Sequence, residues 1–419
     1  MLPPDGESDG TRGLLFVLAA AFMISQFYRT APAVIGPELR AGLALNSVQL
    51  GLAASAFFVS FSLMHVPIGV LLDRYGPRRV MSAMLLIASV GAVVFSQAGS
   101  ATCLVIAQLL IGAGCSAMFV GGLVVVSQRY PSERFGGLAA MLTSASGIGM
   151  IASGTPFAAL TKEVGWSAAF LIVAGLSVAL AAAIFWAVPR RGEPKPAAET
   201  ETFAQSVVGL VQIFRHGPVW GIIALAMVTY PSVIAIRGFW GGPYLSDVQA
   251  SDTIERGDIL LLMSLATMSG AAAYAIFEKR TNRRMPFIYL SAGMSCVGFL
   301  MLAILPVASS AQAALIFCLI GAFSFGSVLL LAHAREMFPS HLTGRAITSV
   351  NFTAFLGAGL MQLIPGVVLS LWQPVNGHPP EEAYRVVFAG IAGILIFSMG
   401  IFTLVFRHDI LRGLRSGRN

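Results

Sequence analysis

The chain has 419 residues, of which 56% are hydrophobic and only 11% are charged, and its mean hydropathy is +0.80. A soluble domain carries about 25% charged residues, so this composition excludes an ordinary soluble protein and indicates a membrane protein. The net charge of +7 does not indicate nucleic-acid binding, because the basic residues lie in short segments between apolar runs rather than on one polar domain.

Twelve apolar runs are long enough to cross about 30 Å of hydrocarbon as helices. We number them as spans one to twelve, at residues 14–36, 47–72, 80–99, 102–127, 136–160, 167–189, 218–243, 258–277, 286–306, 312–334, 345–371 and 384–406. The first run is too long for the core of a signal peptide, so we expect it to remain as a helix. The pattern predicts an all-α membrane protein with twelve transmembrane helices.

The stretch between spans two and three carries the most specific motif. It reads Gly69-Val-Leu-Leu-Asp73-Arg74-Tyr-Gly76-Pro77-Arg78-Arg79, in which Gly76-Pro77 predicts a tight reversal of the chain. The pattern resembles the loop signature of the major facilitator superfamily, a family of secondary transporters. With the matching length and span count, the resemblance implies transport of a small solute by alternating access, and no enzymatic activity.

The two halves of the sequence repeat. Asp73-Arg74-x-x-x-Arg78-Arg79 recurs as Glu278-Lys279-x-x-x-Arg283-Arg284, and Gly36-Pro37-x-Leu39 recurs as Gly242-Pro243-x-Leu245, at offsets of 205 and 206 residues. Such repeats predict two six-helix bundles related by a pseudo-twofold axis along the membrane normal, with a central site between them. We expect one bundle in residues 1–189, a cytoplasmic linker in 190–216 and the second bundle in 217–419.

The basic residues predict the topology. With both termini inside, 20 of the 26 Lys and Arg residues fall in cytoplasmic segments and four in outer loops. Because basic residues are retained on the cytoplasmic side, we expect a multi-pass protein of the bacterial inner (plasma) membrane with both termini in the cytoplasm. We expect it to work as a monomer in the lipid bilayer.

Two arginines lie inside spans, where an ionised residue suggests a functional site. Arg29 in span one and Arg237 in span seven are 208 residues apart, and in the superfamily both spans line the central cavity. Two converging guanidinium groups would bind a carboxylate or phosphate, although each could instead extend to the lipid headgroups. The position resembles the arginine pair of organophosphate:phosphate antiporters. The candidate substrate-binding residues are Arg29, Arg237, Tyr28, Gln26, Tyr230 and Asn351.

The loop motif has a mechanical interpretation. Gly69 would allow two helices to approach closely. The resemblance implies that Asp73 lies against the inner end of span eleven, and that Arg74 and Arg78 pair with the loop after span four. The candidate gating residues, including those of the repeated loop, are Gly69, Asp73, Arg74, Gly76, Arg78, Glu133, Glu278 and Lys279.

Proton coupling has few candidates in this sequence. None of the 19 acidic residues lies deep inside a span, whereas many proton-coupled transporters use buried carboxylates. Histidine titrates near physiological pH, so the candidates are His65, His333 and the helix-end residue Glu38. Uniport and exchange remain open alternatives.

The sequence favours an organic anion or carboxylate-bearing metabolite as the substrate. A drug or xenobiotic exporter is the main alternative, but Gln108 stands where drug:proton antiporters carry an arginine. An amino acid or short peptide, or a non-transporting sensor or scaffold on the same fold, are further alternatives. The four cysteines lie in apolar runs without metal-binding spacing, and we expect no metal and no cofactor.

Overall fold

The computed structural model describes residues 8–190, 212–281, 284–307, 309–324, 326–338, 340–375 and 377–416. This part of the chain is helical apart from turns and one isolated bridge. The helices run over Ser8–Thr30, Pro32–Leu43, Ser47–Ser96, Ala101–Cys115, Ala117–Arg129, Ser132–Ala152, Thr155–Ala187, Val219–Ala235, Ile236–Trp240 (a π-helix), Gly241–Gln249, Thr253–Thr281, Met285–Ile304, Ser310–Ala322, Gly326–Met337, Ser340–Leu369 and Glu381–Ser416.

Eleven helical stretches of the described chain are long and apolar enough to cross a membrane. The predicted tenth span is made of two shorter helices, Ser310–Ala322 and Gly326–Met337. The predicted all-α membrane fold is therefore confirmed. The predicted linker lies mostly in residues 191–211, outside the described residues, so the boundaries of the two halves stay a prediction.

Two glycines with positive φ turn the chain between neighbouring spans. Gly76, between spans two and three, has φ 77° and ψ 158°, and Gly165, between spans five and six, has φ 80° and ψ 157°. An L-residue with a side chain rarely adopts these angles, whereas glycine does so at little cost. The tight reversal predicted at Gly76-Pro77 is confirmed.

The two halves contact each other closely at one end of the bundle, which we call the gate end. Arg40 forms an ion pair with Asp247, and Arg256 forms one with Glu38. Further along, a methyl group built on Gly242 would overlap the carbonyl oxygen of Ala33, so the backbones of the two halves touch there. These contacts hold the two halves together at the gate end in this conformation.

The opposite end, which holds the loop at residues 73–79, we call the loop end. The loop-end part of span five is exposed on several sides, since Gly136, Ala140 and Thr143 are exposed as well as Met141. From Gly147 onward the same span contacts the second half through Met268. The two halves are therefore apart at the loop end and together at the gate end.

Candidate functional site

The centre of the molecule holds a cluster that both halves build around Arg29. The Arg29 guanidinium donates a hydrogen bond from Nη1 to the hydroxyl of Tyr230, at 3.1 Å. Its Cζ atom lies 4.6 Å from the ring centroid of Phe61 and 5.0 Å from that of Phe355. Cation–π attraction of this kind holds a guanidinium between aromatic faces. Spans one, two, seven and eleven thus meet at a single cation.

His65 completes the cluster. Its ring lies 4.9 Å from the Phe61 ring and 5.3 Å from the Phe355 ring, centroid to centroid. Its Nδ1 lies 2.8 Å from the carbonyl oxygen of Phe61, and since a carbonyl only accepts, Nδ1 carries the proton. In the neutral ring Nε2 is then the acceptor nitrogen, and the ring lies beside the two aromatic residues that hold Arg29.

Among the described residues, no ion pair neutralises the charge of Arg29. The side chain is only 6% exposed, and it makes no ion pair within the part of the chain that the structure describes. Its Nε atom is buried and has no hydrogen-bond partner among those residues. Removing a cation from water without an anion costs several kcal/mol. A negatively charged ligand at this position would offset that cost.

Arg237, the counterpart of Arg29 in the repeat, has a different environment. It is 0% exposed and donates to four oxygens. Nε donates to the hydroxyl of Ser264 at 2.6 Å, and Nη1 to the carbonyl of Thr30 at 3.3 Å. Nη2 donates to the carbonyl of Met150 at 2.6 Å and to the hydroxyl of Ser153 at 2.9 Å. Each of the three guanidinium nitrogens therefore has a hydrogen-bond partner, and all four partners are neutral groups.

The carbonyl of Thr30 is available because span one breaks beside it. In a continuous helix it would accept from the amide of Val34, but that amide bonds to the carbonyl of Ala31 instead, at 3.1 Å. Pro32 causes the break, because its ring disfavours a continuing helix and suits the first position of the next one. A new helix accordingly begins at Pro32.

The carbonyl of Met150 becomes available in the same way in span five. Its helical partner, the amide of Gly154, bonds to Ile151 instead, at 3.0 Å. The following helix begins at Thr155 with Pro156 in its first turn. Two helix breaks, each followed closely by a proline, thus supply two carbonyl oxygens that lack their helical hydrogen bond to one buried cation.

Arg237 itself lies in the π-helix Ile236–Trp240 of span seven. Short π-helical turns inside α-helices occur frequently at functional sites. Arg29 and Arg237 are both buried in this structure, and among the described residues they share no hydrogen-bond partner. The structure brings Arg29, Tyr230 and His65 together and places Arg237 among oxygens of the first half.

The remaining candidates for substrate binding lie in other surroundings. The hydroxyl of Tyr28 is 2.9 Å from that of Ser177, within the first half and away from Tyr230. Gln26 has a buried Oε1 without a partner among the described residues. Asn351 is half-buried, four residues before Phe355 on span eleven.

The candidates for proton coupling are separated. Glu38 pairs with Arg256 at the gate end and accepts a hydrogen bond from Thr253 at 2.6 Å. His333 packs against Phe406 in the second half, with 5.0 Å between ring centroids. Only His65 lies in the central cluster.

The structure describes the side chains of the first loop motif, at residues 73–79, but not those of its repeat at Glu278 and Lys279. Arg78 lies over the ring of Phe185 at 4.1 Å, and Arg74 over that of Tyr75 at 5.4 Å. The close helix approach expected at Gly69 is wrong for this conformation, because a methyl group there would meet nothing within 4 Å; the halves are apart at this end. Asp73 and Glu133 are exposed and both make interactions. The side chains of Glu278 and Lys279 lie outside the described residues.

Sequence reasoning missed several residues of these sites. Phe61 and Phe355 are apolar residues within apolar runs, and no pattern distinguishes them from packing residues. Ser153 and Ser264 are small hydroxyl residues that usually pack between helices. The prolines after the two helix breaks were the available signal, because a proline inside a span frees backbone carbonyl groups.

Residues 17–362 match the family model described as Major Facilitator Superfamily. The chain is 22% identical over 403 residues to the probable L-galactonate transporter of Escherichia coli K12, covering 88% of this chain and 86% of that protein. It is 23% identical over 409 residues to the membrane sensor protein UhpC of Salmonella typhimurium, covering 92% and 90%. The crystal structure of the nucleoside transporter NupG has the same fold, with a TM-score of 0.77 and 14% identity over 95% of this chain and 99% of that chain.

Proposed function

Because the chain belongs to the Major Facilitator Superfamily, we propose that it transports a small organic anion, and that Arg29 binds the carboxylate. It is a multi-pass membrane transporter and not an enzyme. In alternating access the two halves part at one end while they close at the other. The described conformation, closed at the gate end, is one of the two states that this mechanism needs.

The observation that carries the proposal is the unneutralised charge of Arg29 where the two halves meet. An arginine binds a carboxylate through charge-assisted hydrogen bonds that are about twice as strong as neutral ones. Tyr230 accepts from Arg29, so its own hydroxyl proton is available to a ligand. The similarity to a probable L-galactonate transporter supports an anionic substrate, since galactonate carries a carboxylate.

The test is uptake of radiolabelled D-gluconate and L-galactonate into proteoliposomes. We expect Arg29→Gln to raise the KM by about ten- to a hundredfold, because a hydrogen bond to a charged group contributes about 1.5–3 kcal/mol. Arg129→Gln removes an exposed cation from the same half and is the matched control, with no expected change.

Three results would contradict the proposal. Equal KM values for wild type and Arg29→Gln would exclude Arg29 from the site. Transport of lipophilic cations but not of sugar acids would favour a drug exporter. Binding of a sugar acid without any transport would favour a sensor, the description given to UhpC.

We further propose that both termini face the cytoplasm of a bacterial inner membrane and that the monomer is the working unit. The excess of basic residues in the segments on the loop side supports this orientation. The loop end would then open to the cytoplasm. Labelling of a cysteine placed at Thr11 should require permeabilised cells, and labelling in intact cells would reverse the orientation.

We also propose that His65 carries the coupling proton. Arg29 of span one lies over the rings of Phe61 and Phe355, which also contact His65. Tyr230 of span seven contacts the Phe355 ring. The described residues place no carboxylate in an ion pair with His65. An arriving substrate anion would offset the charge of Arg29, and the imidazole could then accept a proton together with the substrate.

A further inference from the structure

The hydrogen bonds of Arg237 divide into two groups. Ser264, like Arg237, belongs to the second half, so this bond can persist in any arrangement of the halves. The bonds to Thr30, Met150 and Ser153 cross to the first half. They lie on the gate-end side of Arg29, among the contacts that close this end.

Access from the gate end requires these crossing contacts to break. Once Ala33 has moved away from Gly242, the carbonyls of Thr30 and Met150 move with the first half. Arg237 then keeps one partner, Ser264, and both of its terminal nitrogens lose theirs. A guanidinium in that situation needs other acceptors.

We propose that Arg237 forms a second anion-binding site, which exists only when the gate end is open. In the present conformation the two backbone carbonyls and the Ser153 hydroxyl occupy the place of the anion. This inference rests on the proposed function, because it takes the ligand to be the carboxylate of the transported substrate.

The geometry of the crossing bonds supports this assignment. Nη1 and Nη2 both point to first-half oxygens, and a carboxylate presents two oxygens to the same planar fork. The carbonyls carry only partial negative charge, so a full anion would bind the exposed fork more strongly. While the gate end is closed, the fully buried side chain is inaccessible to that competitor.

The two arginines would then act in sequence. Thr30, whose carbonyl binds Arg237 in the closed gate, is the residue directly after Arg29. When the first half returns, its carbonyl groups bind Arg237 again and displace the anion. The displaced anion then lies beside Arg29. An anion entering from the gate end would therefore contact Arg237 first and Arg29 second, and an anion leaving by that route would do the reverse.

The test measures the chemical accessibility of Arg237 in the full-length protein. Phenylglyoxal modifies accessible arginines, and mass spectrometry locates the modified residue. A cysteine introduced by Ala33→Cys, which we call the reporter cysteine, reports opening of the gate end in the same sample through its reaction with a maleimide. Both reactions are measured in the Ala33→Cys protein, alone and combined with either of two gate variants. Asp247→Asn weakens the ion pair at the gate end from the second half, and Arg40→Gln weakens it from the first half.

We expect both gate variants to raise the labelling rates of the reporter cysteine and of Arg237 together, by at least tenfold. We also expect D-gluconate at 10 mM to slow labelling of Arg237 severalfold, including in the Arg29→Gln background. Labelling of the reporter cysteine without labelling of Arg237 would overturn the proposal. A failure of both residues to react in both gate variants would overturn it as well. If neither D-gluconate nor sulfate slows the labelling of Arg237, then Arg237 is an exposed cation and not an anion-binding site. Failure of Arg29→Gln to affect transport would instead contradict only the assignment of Arg29.

Discussion

Arg40 and Asp247 join the two halves through a two-point ion pair at the gate end. Nη1 of Arg40 lies 2.7 Å from one carboxylate oxygen, and the hydroxyl of Tyr384 donates to the same oxygen at 2.7 Å. The side chain of Asp247 is 1% exposed, so water screens the pair weakly. Its carboxylate is therefore positioned to stabilise the closed gate.

Asp247→Asn should shift the protein toward a conformation that is open at the gate end. Breaking a buried pair by removing one partner costs about 3–5 kcal/mol, and that cost falls on the closed state. The melting temperature of purified protein should fall, and the reporter cysteine of Ala33→Cys should label faster. Arg385→Gln removes an exposed pair with Glu381 and should change stability by less than about 1 kcal/mol. Equal effects of the two variants would contradict the role of Asp247.

Tyr230→Phe should weaken anion binding without unfolding the protein. The change removes the hydroxyl that accepts from Arg29 and that would donate to the anion, and we expect KM to rise by about ten- to a hundredfold, since a hydrogen bond to a charged group contributes about 1.5–3 kcal/mol. Tyr28→Phe is a closely matched control, because the hydroxyl of Tyr28 contacts Ser177 instead. The measurement is D-gluconate uptake by both variants. A larger loss in Tyr28→Phe would place the site elsewhere.

His65→Gln should separate transport from proton coupling. Glutamine keeps a hydrogen-bond acceptor but does not titrate. We expect accumulation driven by a pH gradient to fall at least tenfold, while exchange of internal for external substrate stays within about twofold. His65→Leu should reduce both. Accumulation at the wild-type level in His65→Gln would exclude His65 as the proton carrier.

Gly242→Ala should prevent closure of the gate end. The added methyl group would overlap the Ala33 carbonyl, which is backbone and cannot rotate away. We expect faster labelling of the reporter cysteine and a fall of at least tenfold in transport. Gly175→Ala meets nothing within 4 Å and should behave as wild type. Normal transport by Gly242→Ala would show that the two backbones need not touch.

Asp73→Asn should impair transport while the protein still inserts into the membrane. Asp73 is exposed at the loop end, where the halves must close in the opposite conformation, so a change there acts on closure rather than on folding. We expect uptake to fall by about tenfold at an unchanged level of membrane-inserted protein, measured by immunoblot. Normal uptake would exclude a gating role for this carboxylate.

The fold was predictable because its causes are local. Apolar run lengths predict the spans, and Gly76-Pro77 predicts the turn that the structure confirms. Several spans, the fourth and the tenth among them, are built from two shorter helices, and no feature of run length predicts that division. Run length records how much apolar chain is present, and hydrogen bonding decides where the helix stops.

The site was only partly predictable. A charge inside an apolar run identified Arg29 and Arg237, but their environments depend on the helix breaks at Pro32 and Pro156. Tyr28 is adjacent to Arg29 in sequence and therefore points to another face of the helix. Tyr230 reaches Arg29 only because the two halves pack together, and such a contact between halves leaves no periodic signal.

The repeated Gly-Pro steps meet in the folded protein, since a methyl group on Gly36 would touch the ring of Pro243 at 3.2 Å. Each step follows its arginine at a different interval: seven residues separate Arg29 from Gly36, and five separate Arg237 from Gly242. A chain assembled from two copies of the first half would carry the longer interval twice. We expect that the halves have diverged from any common ancestor into complementary pieces, and that neither could replace the other.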